Sequence, residues 1–590
     1  MKGLIFLLAV LCVFVAGAGS LSLDRHAEAA RQPQTVVDLA SFGARPNDPR
    51  VNSRAAFQSA LEKLKSLGGG TLSIPGGDYY LDFSDVASNV DPRDSSNISL
   101  LHAKNLKKEK LILVPPRVMV QGILDRSGNP ITRIHWSVTS IPLISFINSD
   151  GSGAENLAFV FDGEQPQFFP WSQEDFLEEA GYKSRWLGGP YELSAVIYTV
   201  GSGNLRFENL SFQSNRLPAD NAHTFAFGIV SNGKGPVPQP DSNSVKTLPF
   251  GARLPGGGLS ECVSNNIFRS LRFRDFIMGI LAIGQCDAVF ENIEGNNRGS
   301  WYRSFDPSHE TGPELEHIGP PGHLIYLSFQ NAYDVERTPE APSGRQVFHT
   351  TTMNKSVTIR NIREGAETLS NVNSLGTLAL KDMEGGIVTD VVSHHPLGLI
   401  QSMVDAHDVL LENLTWSTDR DICGEEHPPT NCRTPAITLE PSPPESENPN
   451  SSSVNFKNVK LQSPRRSIIF KISQESPSGP LSQNINVDGL TIECNLQFGP
   501  NQQSAQGIIT VRSVASHLTN VHILPVLPNG APSDRQNYPA VIQSRSQDTS
   551  VEMTIERGRG NGNSVSGYKC VVEDQRTPAS RSDNRCQVNQ

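Results

Sequence analysis

The sequence is poor in charge and has no excess of positive charge. Only 19% of its 590 residues are Asp, Glu, Lys or Arg, and 61 acidic against 50 basic groups leave a formal net charge of −11. Proteins that grip duplex nucleic acid neutralise many phosphates with Lys and Arg, so nucleic acid is excluded as the expected partner. Past residue 18 no stretch offers the about 18 consecutive apolar residues of a spanning helix, and no membrane span is expected. Zinc-type spacing is absent too, with no CxxC pair and no Cys/His pattern. The 37% hydrophobic content and 49 glycines are ordinary for a folded globular chain and exclude a collagenous or wholly disordered one.

What is present begins with Met1-Lys2, an apolar run over 3–15 and Ala16-Gly17-Ala18, the layout of a secretory signal over residues 1–18. The protein is therefore expected to be secreted, to an extracellular or periplasmic space that permits disulfides. Of 8 cysteines, Cys12 falls in the signal. Spacing suggests the pairs Cys262 with Cys286, Cys423 with Cys432 and Cys570 with Cys586, leaving Cys494 over.

Further on, short segments recur in which alternating apolar residues run to an Asn, Asp or Ser and then resume: LRFENLSF (205–212), FRSLRF (268–273), VFENIE (289–294), VTIRNIRE (357–364), LALKDME (378–384), LLENLTW (410–416), VNFKNVKL (454–461) and INVDGLTI (485–492). Ser270 and Asn292 are 22 apart, Asn361 and Asp382 are 21 apart, and Asn413 and Asn458 are 45 apart. A repeat of this length with period-2 alternation reads as a β-solenoid. One coil cannot bury its own apolar residues, whereas coils stacked at the strand spacing of about 4.8 Å make a continuous core. The corner asparagines suit a left-handed backbone and side-chain ladders. Five also begin N-x-S/T sequons: Asn97, Asn209, Asn354, Asn413 and Asn450.

A solenoid end needs a cap. Asn52-Ser53 can start a helix whose Ala56, Phe57, Ala60, Leu61 and Leu64 share a face, and Gly68-Gly69-Gly70 stops it. The stretch VVDLASFGARPNDPRVNSRAAFQSALEKLKSLGGGTLSIPGGDYYL (36–81) resembles the N-terminal signature of the pectate-lyase-like superfamily of secreted right-handed parallel β-helix proteins. Phe42-Gly43-Ala44, Ala56-Phe57-Gln58, Gly69-Gly70-Thr71 and Ile74-Pro75-Gly76 follow in the family's order, while PNDPRVNS replaces its usual acidic pairs. The resemblance implies an all-β fold: a single right-handed parallel β-helix over 33–546 with an N-terminal capping helix and long lateral loops, followed by a polar cap or tail over 547–590. It does not fix the chemistry, because the fold hosts lyases, hydrolases, epimerases and adhesins.

Function is sought where the pattern is interrupted. The segment 162–191 carries Phe168, Phe169, Trp171, Phe176, Tyr182, Trp186 and Tyr191, with Trp171 and Trp186 the best platforms for sugar rings. The segment 215–259 contributes His223 as a substrate-binding candidate. The densest segment, 295–350, includes NNRGSWYRSFDPSHETGPELEHIGPPGHLIYLSF with Arg298, Trp301, Tyr302, Arg303, Asp306, His309, Glu310, Glu314, Glu316, His317, His323 and Tyr326. A polyuronate lyase needs a cation on the substrate carboxylate, a base for the C5 proton and an acid for the departing C4 oxygen. Arg298 or Arg303 can supply the fork, His309, Tyr302 or His323 the base, Tyr326 or another of them the acid, and Asp306 can orient a histidine. FDPSHE (305–310) is similar to the Asp-Pro-His element of mannuronan C5-epimerases, with Ser308 interposed. A second candidate region, 388–414, holds Asp390, His394, His395, Asp405, His407 and Asp408, of which His394 could border a groove.

Polygalacturonase motifs are missing: there is no Asp-Asp dipeptide, and Gly322-His323 is followed by Leu324. No carboxylate spacing forms a calcium motif, so the cofactor stays open, calcium included. The sequence thus points to a monomeric, secreted enzyme on an extracellular polysaccharide, a lyase acting on uronate-containing chains. A glycoside hydrolase, a C5-epimerase or a non-catalytic glycan-binding adhesin are its alternatives.

Overall fold

A computed structural model describes residues 35–589 apart from 88–109, 138–141, 164–194, 215–224, 234–261, 275, 297–321, 329, 339–340, 353, 366–373, 395–397, 419–434, 440–450, 464–469, 473–480, 496–508, 527–538, 545–548, 556–568 and 574–584. The N-terminal end is closed by helix α1, Arg54–Ser66, which buries Ala56, Phe57, Ala60, Leu61 and Leu64 as its spacing requires. Gly69 and Gly70, at φ 124° and 137°, turn the chain out of the helix into the strand Gly70–Ser73. A Cβ on Gly70 would stand 2.3 Å from the Thr35 carbonyl oxygen, so no side chain fits there.

From there the chain winds as a right-handed parallel β-helix whose strands pair with the coils above and below. Three sheets run along the axis. Sheet A stacks Ile144–Ile147, Ala195–Val200, Phe225–Asn232, Phe276–Ile283 and Gly322–Ser328, then the first parts of Ser374–Ser393 and Ile400–Ser417. Ile437–Leu439, Phe470–Ile472, Ile509–Val511, Pro539–Ser544 and Lys569–Glu573 complete it. Sheets B and C are two legs of one bent strand per coil, as in Gly153–Phe161, Arg206–Ser214, Ile267–Arg274 and Val289–Asn296. The bend is a single left-handed residue: Asn156, Asn209, Ser270, Asn292, Asn361, Asp390, Asn413, Asn458 and Asn520 all have φ between 50° and 62°. Their amides form a ladder, with Asn209 Nδ2 donating to Asn156 Oδ1 at 3.1 Å and Asn458 Nδ2 to Asn413 Oδ1 at 2.7 Å. Short polar side chains tolerate this backbone region and neighbours satisfy them.

Inward columns follow from register. Ile144, Ile197, Ile229, Ile280, Ile325, Leu378, Ile400, Ile437, Phe470 and Ile509 stack in sheet A, and all are buried. In sheet B, Phe207, Phe268 and Phe290 stack with centroids 5.6 and 4.6 Å apart. In sheet C, Phe159, Phe212 and Phe273 stack at 5.2 and 4.7 Å. Each such burial contributes about 1.5–3 kcal/mol, and repetition rather than one compact centre supplies the stability. The expected Cys262–Cys286 disulfide is present, with Cα atoms 5.6 Å apart on successive coils. Parallel coiling also continues into the stretch 547–590 expected as a polar cap or tail, where Ser550–Ile555 pairs with Arg585–Asn589. The alternating Val551, Met553 and Ile555 explain why another rung forms there.

Candidate functional site

The three corners of each coil differ sharply. From Gly153 onward the corner between sheets B and C is one residue, and it leaves no room for an excursion. The longer connections, among them 164–194, 234–261, 297–321, 419–434 and 440–450, all leave the chain at the two edges of sheet A. The antiparallel hairpin of Gln330–Thr338 with Ala341–Thr352 follows the sheet A strand Gly322–Ser328 in sequence. Sheet A is thereby the sheet at whose edges the described chain is interrupted most, and its outward face is taken as the floor of the candidate site.

On the middle of that floor three side chains meet. Tyr326 projects from Gly322–Ser328, half-buried between Ile325 and Leu327, which are fully buried. Lys381, on the next rung, places its ammonium 5.3 Å from the centre of the Tyr326 ring. His323 lies against the same tyrosine with centroids 5.2 Å apart. Its Nδ1–H donates to the Gly376 carbonyl at 3.0 Å, which leaves Nε2 as the basic nitrogen. Burial, reinforced by the nearby Lys381 charge and opposed by the Gly376 bond, brings the imidazole down to about 3. At 1% exposure and with its imidazole brought down, His323 is held as a neutral ring against Tyr326, which weakens it as the expected base. Farther along the floor Ser402 and Lys471 are also half-buried.

Two acidic features accompany this cluster. Asp382 and Asp405 occupy equivalent places at the far edge of sheet A on adjacent coils, between the paired Lys381–Val404 and Met383–Ala406. Both are buried, with φ of 51° and 49°, and burial pushes the Asp405 carboxyl up to about 7. At the near edge, the sheet C column of Phe159, Phe212 and Phe273 is broken by Gly295, Glu364 and Ser393. A side chain at Gly295 would meet Leu324 at 2.8 Å. Glu364 is 2% exposed, and burial raises it to about 7 against a hydrogen bond with Thr377. Its Oε2 has no hydrogen-bond partner among the described residues, while Thr377 and Ser393 share a 2.5 Å hydroxyl contact. Glu364 lies just before the connection 366–373 and Ser393 just before 395–397.

His394 is exposed at the near edge of the floor, its Nδ1 2.8 Å from Ser417 Oγ. Trp171, Trp186, His223, Arg298, Trp301, Tyr302, Arg303, Asp306, His309, Cys423 and Cys432 lie outside the described residues, as do the side chains of Cys570 and Cys586. Lys381, Asp382 and Glu364 were not singled out from sequence, since they sit inside segments that read as plain ladder strands, and Asp405 was named only as part of the second candidate region, with no role. Among the described residues no three His, Cys, Asp or Glu side chains gather as a metal site, and no helix is long and apolar enough to cross a membrane.

No family model matches the sequence, and no curated protein matches it. Solved structures similar in fold include the A-module of mannuronan C-5 epimerase AlgE6 from Azotobacter vinelandii, 12% identical over 94% of this chain and 99% of that one, TM-score 0.37. A hyperthermoactive exopolygalacturonase from Thermotoga maritima is 11% identical over 90% and 93%, TM-score 0.35. PfbA, a surface adhesin of Streptococcus pneumoniae, is 9% identical over 92% and 93%, TM-score 0.42. At such identities and scores these likenesses carry no argument about chemistry, and the coil stands on its own register.

Proposed function

We propose that this protein is a secreted polysaccharide-processing enzyme that works on the outward face of sheet A by β-elimination in a uronate-containing chain. The observation that carries the reading is the meeting of Lys381, Tyr326 and His323 on sheet A. A uronate C5 proton is acidic only when the adjacent carboxylate is neutralised, and Lys381 is a half-buried cation able to do so. Removal of that proton forms the C4–C5 double bond as the C4–O4 bond breaks, and the Tyr326 hydroxyl can protonate the leaving oxygen. Arg298, Tyr302, Arg303, Asp306 and His309 belong to the connection that leads directly into the Tyr326 strand, and they are the proposed source of the base and of a second cation.

A second reading, glycoside hydrolysis, is favoured by the stacked pair Asp382 and Asp405, since a carboxyl held near 7 can act as a general acid at neutral pH. The experiment is digestion of pectic, alginate, glycosaminoglycan and neutral glycans, reading the ultraviolet absorbance of the 4,5-unsaturated uronate alongside reducing-end release. Both signals rising together on one uronate polymer support elimination. Reducing ends alone, lost in Asp405→Asn, transfer the assignment to hydrolysis. Silence in both, with glycan binding retained, overturns the enzyme reading in favour of an adhesin.

A further inference from the structure

Far from this floor, on the outward face of sheet C near the N-terminal cap, one histidine ties three successive coils. His135, on Thr132–Trp136, has its Nε2 2.9 Å from Asp78 Oδ1 on Gly77–Leu81 and its Nδ1 2.7 Å from Asp162 Oδ2, at the end of Gly153–Phe161. Carboxylate oxygens at neutral pH only accept hydrogen bonds. Both ring nitrogens must therefore donate, which requires the imidazolium. A neutral ring would turn one lone pair toward a carboxylate.

The surroundings reinforce this. Arg133 forms a bidentate pair with Asp78, Nε at 2.5 Å and Nη2 at 2.9 Å, so Asp78 is pulled down to about 2 and stays charged. The Tyr80 ring stacks on His135 with centroids 4.7 Å apart. Its phenol is raised by burial and by Asp78 and Asp162, so it remains neutral through the physiological range. Among the described residues, Asp78, Tyr80, Arg133 and Asp162 are the titratable groups that face the ring or its partners. Burial of His135 favours its neutral form, but the bonds to Asp162 and Asp78 outweigh it and the imidazole is raised above its ordinary value.

We propose that Asp78, His135 and Asp162 form a proton-operated clamp that joins the first coils of the helix while the imidazole is charged and loosens them when it loses its proton. The clamp is independent of the chemistry on sheet A. Because the folded pKa lies above the unfolded one, its contribution is complete below about pH 6.5 and is lost as pH rises through the folded value. For each unit by which folding raises that pKa, local opening at alkaline pH becomes about tenfold more frequent relative to acid.

The test is amide hydrogen exchange by mass spectrometry on the full chain between pH 5.5 and 9, with rates corrected for intrinsic base catalysis. Wild type, His135→Gln and Asp162→Asn are compared over peptides spanning residues 77–81, 132–136 and 153–161. Protection of these peptides should fall with rising pH in wild type, stay level in His135→Gln, and fall at a lower pH in Asp162→Asn, which removes one charged acceptor without changing shape. Equal pH slopes in wild type and His135→Gln overturn the clamp. Should His135→Gln fail to fold, an unshifted transition in Asp162→Asn overturns it equally.

Discussion

The ammonium of Lys381 lies 5.3 Å from the ring centre of Tyr326 on the neighbouring coil, on the outward face of sheet A. Both are half-buried, and the ring of Tyr326 packs against the core from the outer side of the strand. A cation and a phenol on a half-buried surface can act on a ligand rather than on the core.

Replacement of either should therefore impair turnover without unfolding the protein. Tyr326→Phe keeps the ring and removes the proton donor, and kcat/KM on the responsive uronate polymer should fall about 10²- to 10⁴-fold. Lys381→Gln removes the charge that stabilises the developing carbanion, with an expected loss of about 10²- to 10³-fold. Rates come from the product absorbance, with melting temperature as the control. Full activity in both variants at unchanged melting temperature would remove this cluster from the mechanism.

Stability should carry a pH signature of the two buried acids. Asp405 and Glu364 are each raised to about 7 by burial, above ordinary values near 4. Such groups leave stability intact below about pH 4, and it declines as pH rises from there through 7. Glu364→Gln should consequently melt higher than wild type at pH 8 and match it at pH 4. Equal melting curves at pH 8 would mean that Glu364 is not held neutral inside the coil.

How much of this was legible in the sequence depended on whether periodicity was involved. The corner residues Ser270, Asn292, Asn361 and Asn413 announced the coil because a left-handed position must recur once per turn, and the capping helix followed from its spaced apolar face. The Cys262–Cys286 bond was legible because one repeat separates them. Lys381 and Glu364 were not, since each looks like one more polar position in a ladder strand. Lys381 gains its meaning only from Tyr326, 55 positions earlier in sequence but one rung away in space. Glu364 faces inward where parity demands an apolar residue, a signal that register alone reveals. His323 was picked for its chemistry, and only its burial shows how weak a base it is.

The sequons at Asn209, Asn354 and Asn413 should stay unmodified in the folded protein even in a glycosylating host. Asn209 and Asn413 use their amide nitrogens in the ladder, Asn413 donating to Asp390 Oδ1 at 3.0 Å. Asn354 is fully buried, with Nδ2 donating to the Lys381 carbonyl at 3.1 Å. A glycan on any of them would break a bond between coils, each worth about 1 kcal/mol. Peptide mass spectrometry of secreted material decides the matter, and occupancy at any of the three would show that modification precedes coiling.

The Cys262–Cys286 bond joins residues 24 apart on adjacent coils, and closing a loop of that size restricts the unfolded chain by about 3 to 4 kcal/mol. In a stacked solenoid each coil contacts only its neighbours, so such a constraint acts locally before it acts globally. Cys262→Ser/Cys286→Ser should therefore raise hydrogen exchange first in Ile267–Arg274 and Val289–Asn296, whose coils the bond connects, and leave Asn486–Asn495 unaffected until the whole helix unfolds. Reduction of wild type should reproduce the pattern. A uniform rise along the chain would instead mean that the coils open as a single cooperative body and that the disulfide's effect is spread through all of them.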